Sequence, residues 1–66
     1  MNTDYRHHFD LIRLNPVLSD DAQRQVAQWY YVVSVQLALL LRDPLPEIRA
    51  IDAAYREVFK REPVVN

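Results

Sequence analysis

The chain has 66 residues, of which 50% are hydrophobic and 26% are charged, and its formal net charge is −1. This length accommodates one domain, over residues 1–66, and the hydrophobic content predicts a folded chain rather than a disordered one. The slight negative charge argues against a nucleic-acid-binding protein, which usually carries a basic excess. The chain has no cysteine, which excludes disulfides and zinc–thiolate sites and fits a reducing cytoplasm.

Neither a secretory leader nor a membrane span is expected. The first ten residues, MNTDYRHHFD, are polar and lack the apolar stretch of a signal peptide. The most apolar segment is WYYVVSVQLALLL, at 29–41. As a helix it would extend only about 20 Å, short of the roughly 30 Å hydrocarbon core of a bilayer.

The sequence predicts an all-α domain. It contains no glycine, which tight β-hairpins favour, and no segment alternates regularly between polar and apolar residues. Pro16 and Pro44 each end a helical segment, because the residue before a proline is pushed out of the α region. Three helices are therefore expected, at about 4–14, 20–42 and 45–61.

Short polar side chains near the helix starts and charges at helical spacing support these assignments. The expected N-cap residues are Thr3, Ser19 and Asp43. The expected ion pairs between residues four apart are Arg6–Asp10 and Asp52–Arg56.

The central helix is apolar around most of its circumference, so it needs partners on two sides. The short connection around 43–45 predicts that the second and third helices form an antiparallel hairpin. The front face of the central helix would then pack against the third helix. That face carries Ala22, Val26, Trp29, Tyr30, Val33, Leu37, Leu40 and Leu41.

The back face of the central helix is expected to meet the first helix together with a second copy of the chain. A chain of this length buries only about 60% of its unfolded surface, so a monomer would be marginally stable. We expect a homodimer in which two hairpins form a four-helix bundle; the alternative is a compact three-helix monomer. The expected self-association or partner interface consists of Tyr30, Tyr31, Val32, Val35, Ala38 and Leu39.

The residues offer no reaction centre, and we expect neither an enzyme nor a cofactor. A phosphate-binding loop needs glycine, and the chain has none. Ser19 is explained as an N-cap. His7 and His8 are adjacent, so they point about 100° apart on a helix and cannot easily hold one metal ion.

By elimination, the sequence predicts a protein that acts by stoichiometric binding to another protein, as an inhibitor, anti-activator, adaptor or assembly chaperone. The identity of that partner is not encoded in any motif. One alternative is a small dimeric DNA-binding regulator, whose nucleic-acid contacts would come from Arg49, Arg56 and Lys60. Another alternative is a structural subunit that folds fully only within a larger complex.

Overall fold

A computed structural model describes residues 4–60 of the chain. Within that range the chain is all-helical, without a strand, and each of its three helices contacts the other two. The predicted all-α class with three helices is therefore confirmed. No helix in the described range is long and apolar enough to cross a membrane. The helices are α1 (Tyr5–Arg13), α2 (Asp20–Ala38) and α3 (Leu45–Phe59).

The start of α1 is capped by Asp4, whose side chain accepts a hydrogen bond of 3.0 Å from the backbone N–H of His7. Thr3, the predicted cap, lies outside the described residues. The helix ends at Arg13, and the carboxamide oxygen of Asn15 then accepts a 2.9 Å hydrogen bond from the backbone N–H of Val17. This asparagine turn redirects the chain towards α2.

The start of α2 is as predicted, and its end is not. Ser19 Oγ accepts a 3.2 Å hydrogen bond from the backbone N–H of Ala22, which confirms the predicted N-cap. The helix ends at Ala38 rather than near residue 42. The amides of Leu40 and Leu41 bond to carbonyls three residues back, at 3.1 and 3.0 Å, so the chain tightens into a turn before the next helix.

The start of α3 also differs from the prediction. Its N-cap is Pro44, which already has right-handed helical backbone angles, and no side chain caps the helix. Asp43 lies one residue too early for the capping role that the sequence suggested. The helix ends at Phe59, and the C-cap residue Lys60 adopts the left-handed conformation (φ 59°, ψ 30°) typical of helix termination.

Aromatic rings from all three helices form the centre of the core. Phe9 of α1 is fully buried. Its ring meets those of Tyr30, Tyr55 and Phe59 edge to face, at centroid distances of 5.1, 5.4 and 6.2 Å. Such geometry adds about 0.5–1.5 kcal/mol per pair to the burial of the rings.

Polar contacts on the surface join α1 to α3. The Tyr5 hydroxyl donates a hydrogen bond to the Glu47 carboxylate. Arg6 forms a 2.8 Å ion pair with Glu57 of α3, rather than with Asp10 as the spacing suggested. Packing of α1 on α3 brings Glu57 within reach of Arg6. The predicted Asp52–Arg56 pair is confirmed, at 2.8 Å.

Replacing Phe9 with alanine should remove the centre of this cluster. We expect Phe9→Ala to lower the free energy of unfolding by about 3–5 kcal/mol, since the cavity would be lined by three rings that cannot all relax into it. Urea denaturation followed by circular dichroism measures the loss. Leu14→Ala is the control because Leu14 is 74% exposed; a loss of similar size in both variants would contradict this account of the core.

Candidate functional site

Apart from tyrosine, no polar or charged side chain is buried within residues 4–60. Residues 4–60 contain no group of three His, Cys, Asp or Glu side chains that could hold a metal ion, and no buried side-chain nitrogen or oxygen in that range lacks a partner. The rings of His7 and His8 are 6.0 Å apart and inclined at 75°. His8 stacks on Tyr30, and its Nδ1 lies 2.8 Å from the Asp4 carbonyl oxygen. The two histidines therefore do not converge on one point.

One open cleft, of about 250 Å³, lies between α1 and α3, where alanines and an ion pair line it. Another, of about 230 Å³, has Arg13, Asp20 and Arg24 on its walls. Both clefts are wide open to solvent, and neither encloses a buried polar group. They do not have the shape of a small-molecule site, which normally buries most of its ligand.

Tyr30 and Tyr31, adjacent in sequence, contact different helices. Tyr30 lies towards α1, with its ring stacked 5.6 Å from that of His8 and edge to face with Phe9. Tyr31 lies towards α3, where its ring is 5.6 Å from that of Tyr55. Adjacent residues on a helix diverge by about 100°, and here each tyrosine fills a separate interhelical contact.

The two tyrosine hydroxyls are shifted towards the neutral form. Burial raises the pKa of Tyr31, and the nearby Asp52 carboxylate raises it further. The Tyr31 hydroxyl donates to Asp52 Oδ1 at 3.4 Å, a hydrogen bond that deprotonation would remove. Burial also raises the pKa of Tyr30, and a hydrogen bond with Ser34 partly offsets that effect.

The remaining residues of the predicted interface divide into two groups. Ala38 is buried, and Val35 is half-buried against the same core. Val32 and Leu39 are exposed, at 40% and 59%. Within the described chain, four of the six predicted interface residues thus already have intramolecular contacts. Their role in binding a partner stays a prediction.

The front face of α2 does not pack on α3 as the sequence suggested. Val26, Trp29 and Leu40 are 37%, 66% and 82% exposed. The reason is that α1 and α3 contact α2 through Tyr30 and Tyr31, on the side of the buried Ala27 and Ala38. The small alanine side chains allow close approach there. Of the front face, Tyr30 packs against the core, and Trp29, Leu37 and Leu40 are left towards solvent.

Five positions of α2 on this side, and one in the turn after it, follow spacings of four and three residues, the repeat of a coiled-coil seam; two of the six are half-buried and four are exposed. We call them the outer seam: Ala22, Val26, Trp29, Val33, Gln36 and Leu40. Five are apolar, and the exposed Leu37 and Leu39 flank its C-terminal end. The front-face prediction named these five residues but assigned them to α3; it missed Gln36, which the repeat alone would have identified.

The candidate nucleic-acid contacts lie along one side of α3 and its C-terminal end. Arg49, Arg56 and Lys60 are all exposed, at spacings of seven and four residues that keep them on one line of the helix. Arg56 Nε lies 2.8 Å from Asp52 Oδ2, so an acidic group is part of the same surface. The line therefore carries mixed charge rather than a basic patch.

Comparison with known proteins identifies no relative from which a function could be inferred. No known family matches the sequence, and no curated protein or solved structure is significantly similar to it. The outer seam is the surface of the described chain with the most exposed large apolar side chains on one helix and the turn after it.

The Tyr31 hydroxyl predicts a loss of stability in alkaline solution. Its pKa is raised in the folded chain, so the folded state holds the proton more tightly than the unfolded state, and stability falls as pH rises above the ordinary tyrosine value of 10.0. We expect Tyr31→Phe to flatten this decline, as measured by urea denaturation between about pH 8 and pH 11. An unchanged slope in the variant would show that Tyr31 does not titrate differently on folding.

Proposed function

We propose that the chain is a protein-binding module that acts stoichiometrically and presents the outer seam of α2 to its partner. In this proposal α2 and α3 form an antiparallel hairpin, and α1 lies across the side of the hairpin opposite the seam. The connection from residue 39 to residue 44 is only six residues long, which favours an antiparallel arrangement of the helices it joins.

The observation that carries this proposal is the concentration of exposed large apolar side chains on one helix and the turn after it. Trp29 is 66% exposed, and Leu40 is 82% exposed. Single exposed leucines are common on protein surfaces, but a contiguous apolar patch on a helix usually marks an interaction site. Tryptophan is also among the residues most enriched at binding hot spots.

The core behind the seam supports a preformed binding surface. Phe9, Ile51 and Tyr55 are fully buried, and they lie beneath the side of α2 that faces away from the seam. A partner that binds a helix already held in place need not provide the free energy to order it. This favours a module that folds by itself over a structural subunit that folds only within a complex.

Substitutions in the outer seam should abolish capture of the partner. We expect Trp29→Glu and Leu40→Glu each to reduce the partner recovered with a tagged chain from native lysate at least tenfold, since a carboxylate would be desolvated in an apolar interface. Quantitative mass spectrometry of the eluates measures this loss.

The matched control is Leu14→Glu, which makes the same chemical change at a leucine of α1's C-cap that is 74% exposed. Circular dichroism should show wild-type helicity for all three variants, because each substituted side chain is exposed. Equal recovery with the seam variants and the control would place the binding surface elsewhere.

We expect the chain not to bind duplex DNA. The mixed charge beside Arg56 and the net charge of −1 provide no field to attract phosphates. A gel-shift assay at low salt, where any phosphate contact is strongest, should show no retardation at micromolar protein. A salt-sensitive shift that Arg49→Glu and Lys60→Glu remove would instead support a DNA-binding regulator.

A further inference from the structure

We propose that the occupant of the outer seam is the outer seam of a second copy of this chain, with the two α2 helices antiparallel. This inference rests on the proposed function, because it names the first partner of the same surface. The predicted homodimer would then form through the side of α2 that faces away from the core, and not through the side that carries Tyr31, Val35 and Ala38.

The order of side chains along the seam favours the antiparallel orientation. The six seam positions are symmetric about residue 31, so an antiparallel pair sets Trp29 against Val33 of the second copy. At each end, Ala22 faces Leu40. Every such layer combines a larger and a smaller side chain, as well-packed interfaces require. A parallel pair would instead stack Trp29 on Trp29 and leave Ala22 facing Ala22.

The antiparallel pair also accommodates the single polar position of the seam. Gln36 would face Val26 of the second copy, next to the exposed Gln25. The Gln25 side chain offers the carboxamide of Gln36 a hydrogen-bonding group at the edge of the interface, where neither amide needs to be fully buried.

Charges at the two ends of α2 are complementary in the same register. Asp20 and Asp21 occupy the first turn of α2, and Arg42 lies in the bend that follows its C-terminal end. An antiparallel pair brings the acidic first turn of one α2 near the bend that follows the other α2, where Arg42 lies, at both ends of the interface. A parallel pair would bring the four acidic side chains together at one end, and like charges would oppose it.

The seam and its flanks offer a second copy an apolar surface. Trp29 and Leu40 are 66% and 82% exposed, and the flanking Leu37 and Leu39 are 61% and 59% exposed. A standard protein interface buries about 800 Å² on each partner. A second copy supplies an equal, self-complementary surface of the same length.

Trp29 is the only tryptophan in the chain, so its fluorescence reports directly on the seam. We expect the emission maximum to move to longer wavelength on dilution from about 100 μM to 0.1 μM, as Trp29 becomes exposed. Sedimentation equilibrium over the same range should show dimer giving way to monomer, with Leu40→Glu monomeric throughout and Leu14→Glu like the wild type. A monomer at 100 μM, with emission independent of concentration, would overturn the inference.

Cysteine cross-linking tests the orientation, because the natural chain contains no cysteine. Val26→Cys and Gln36→Cys are made in separate chains, mixed, and oxidised with glutathione disulfide. Antiparallel pairing predicts at least tenfold more of the mixed 26–36 disulfide than of either symmetric disulfide, since identical positions lie about 15 Å apart along the helix. Predominant symmetric disulfides would show a parallel pair and overturn this geometry.

These measurements separate the inference from the proposed function. A chain that stays monomeric, yet captures a partner from lysate through Trp29 and Leu40, would refute the second copy and retain the protein-binding role. A dimer unaffected by Leu40→Glu would place self-association on another surface and overturn the inference. Dissociation of the dimer by both seam variants, with the expected mixed disulfide, would support it.

Discussion

The burial of Phe9 among rings from all three helices determines how α2 is rotated, and with it which residues of α2 reach solvent. Phe9 contacts Tyr30 of α2 and both Tyr55 and Phe59 of α3, so it fixes the three helices relative to one another. Because adjacent helical residues diverge by about 100°, Tyr31 points away from α1 when Tyr30 contacts Phe9, and it packs against α3. The outer seam is exposed as a consequence of these contacts and not because its own residues are polar.

The parts of the fold that depend on local chemistry could be predicted from the sequence. Ser19 marks the start of α2, Pro16 lies shortly after the end of α1, and the lack of glycine argues against tight hairpins. Pro44 is a poorer guide, since α2 already ends at Ala38. The rotation of α2 could not be predicted in this way. Both of its faces are apolar, so hydrophobicity alone does not determine which face is buried. The contact of Phe9 with Tyr30 does so, together with the small side chains of Ala27 and Ala38.

The candidate site illustrates the same limit. Aromatic identity suggested Tyr30 and Tyr31 as interface residues, but large aromatic rings are equally suited to the core, and here they contact His8, Phe9 and Tyr55. Residue type therefore does not separate an interface from a core in a chain this small. Residue spacing is a better indicator of an interface than residue type. The four–three repeat that includes Trp29 and Leu40 lies on the side of α2 that α1 and α3 do not cover.

One seam can bind only one helix at a time, and this links the two proposals energetically. A foreign partner that uses Trp29 and Leu40 would have to displace the second copy, and each dimer that dissociates frees two monomers. The free energy of partner binding would therefore be reduced by half the free energy of dimer dissociation. At high concentration of the chain, the outer seam would be covered by the seam of a second copy, and the apolar surface would be protected from non-specific contacts. At low concentration the monomer would present the seam to other proteins. Dimerisation would then act as a concentration-dependent mask for the surface that performs the binding.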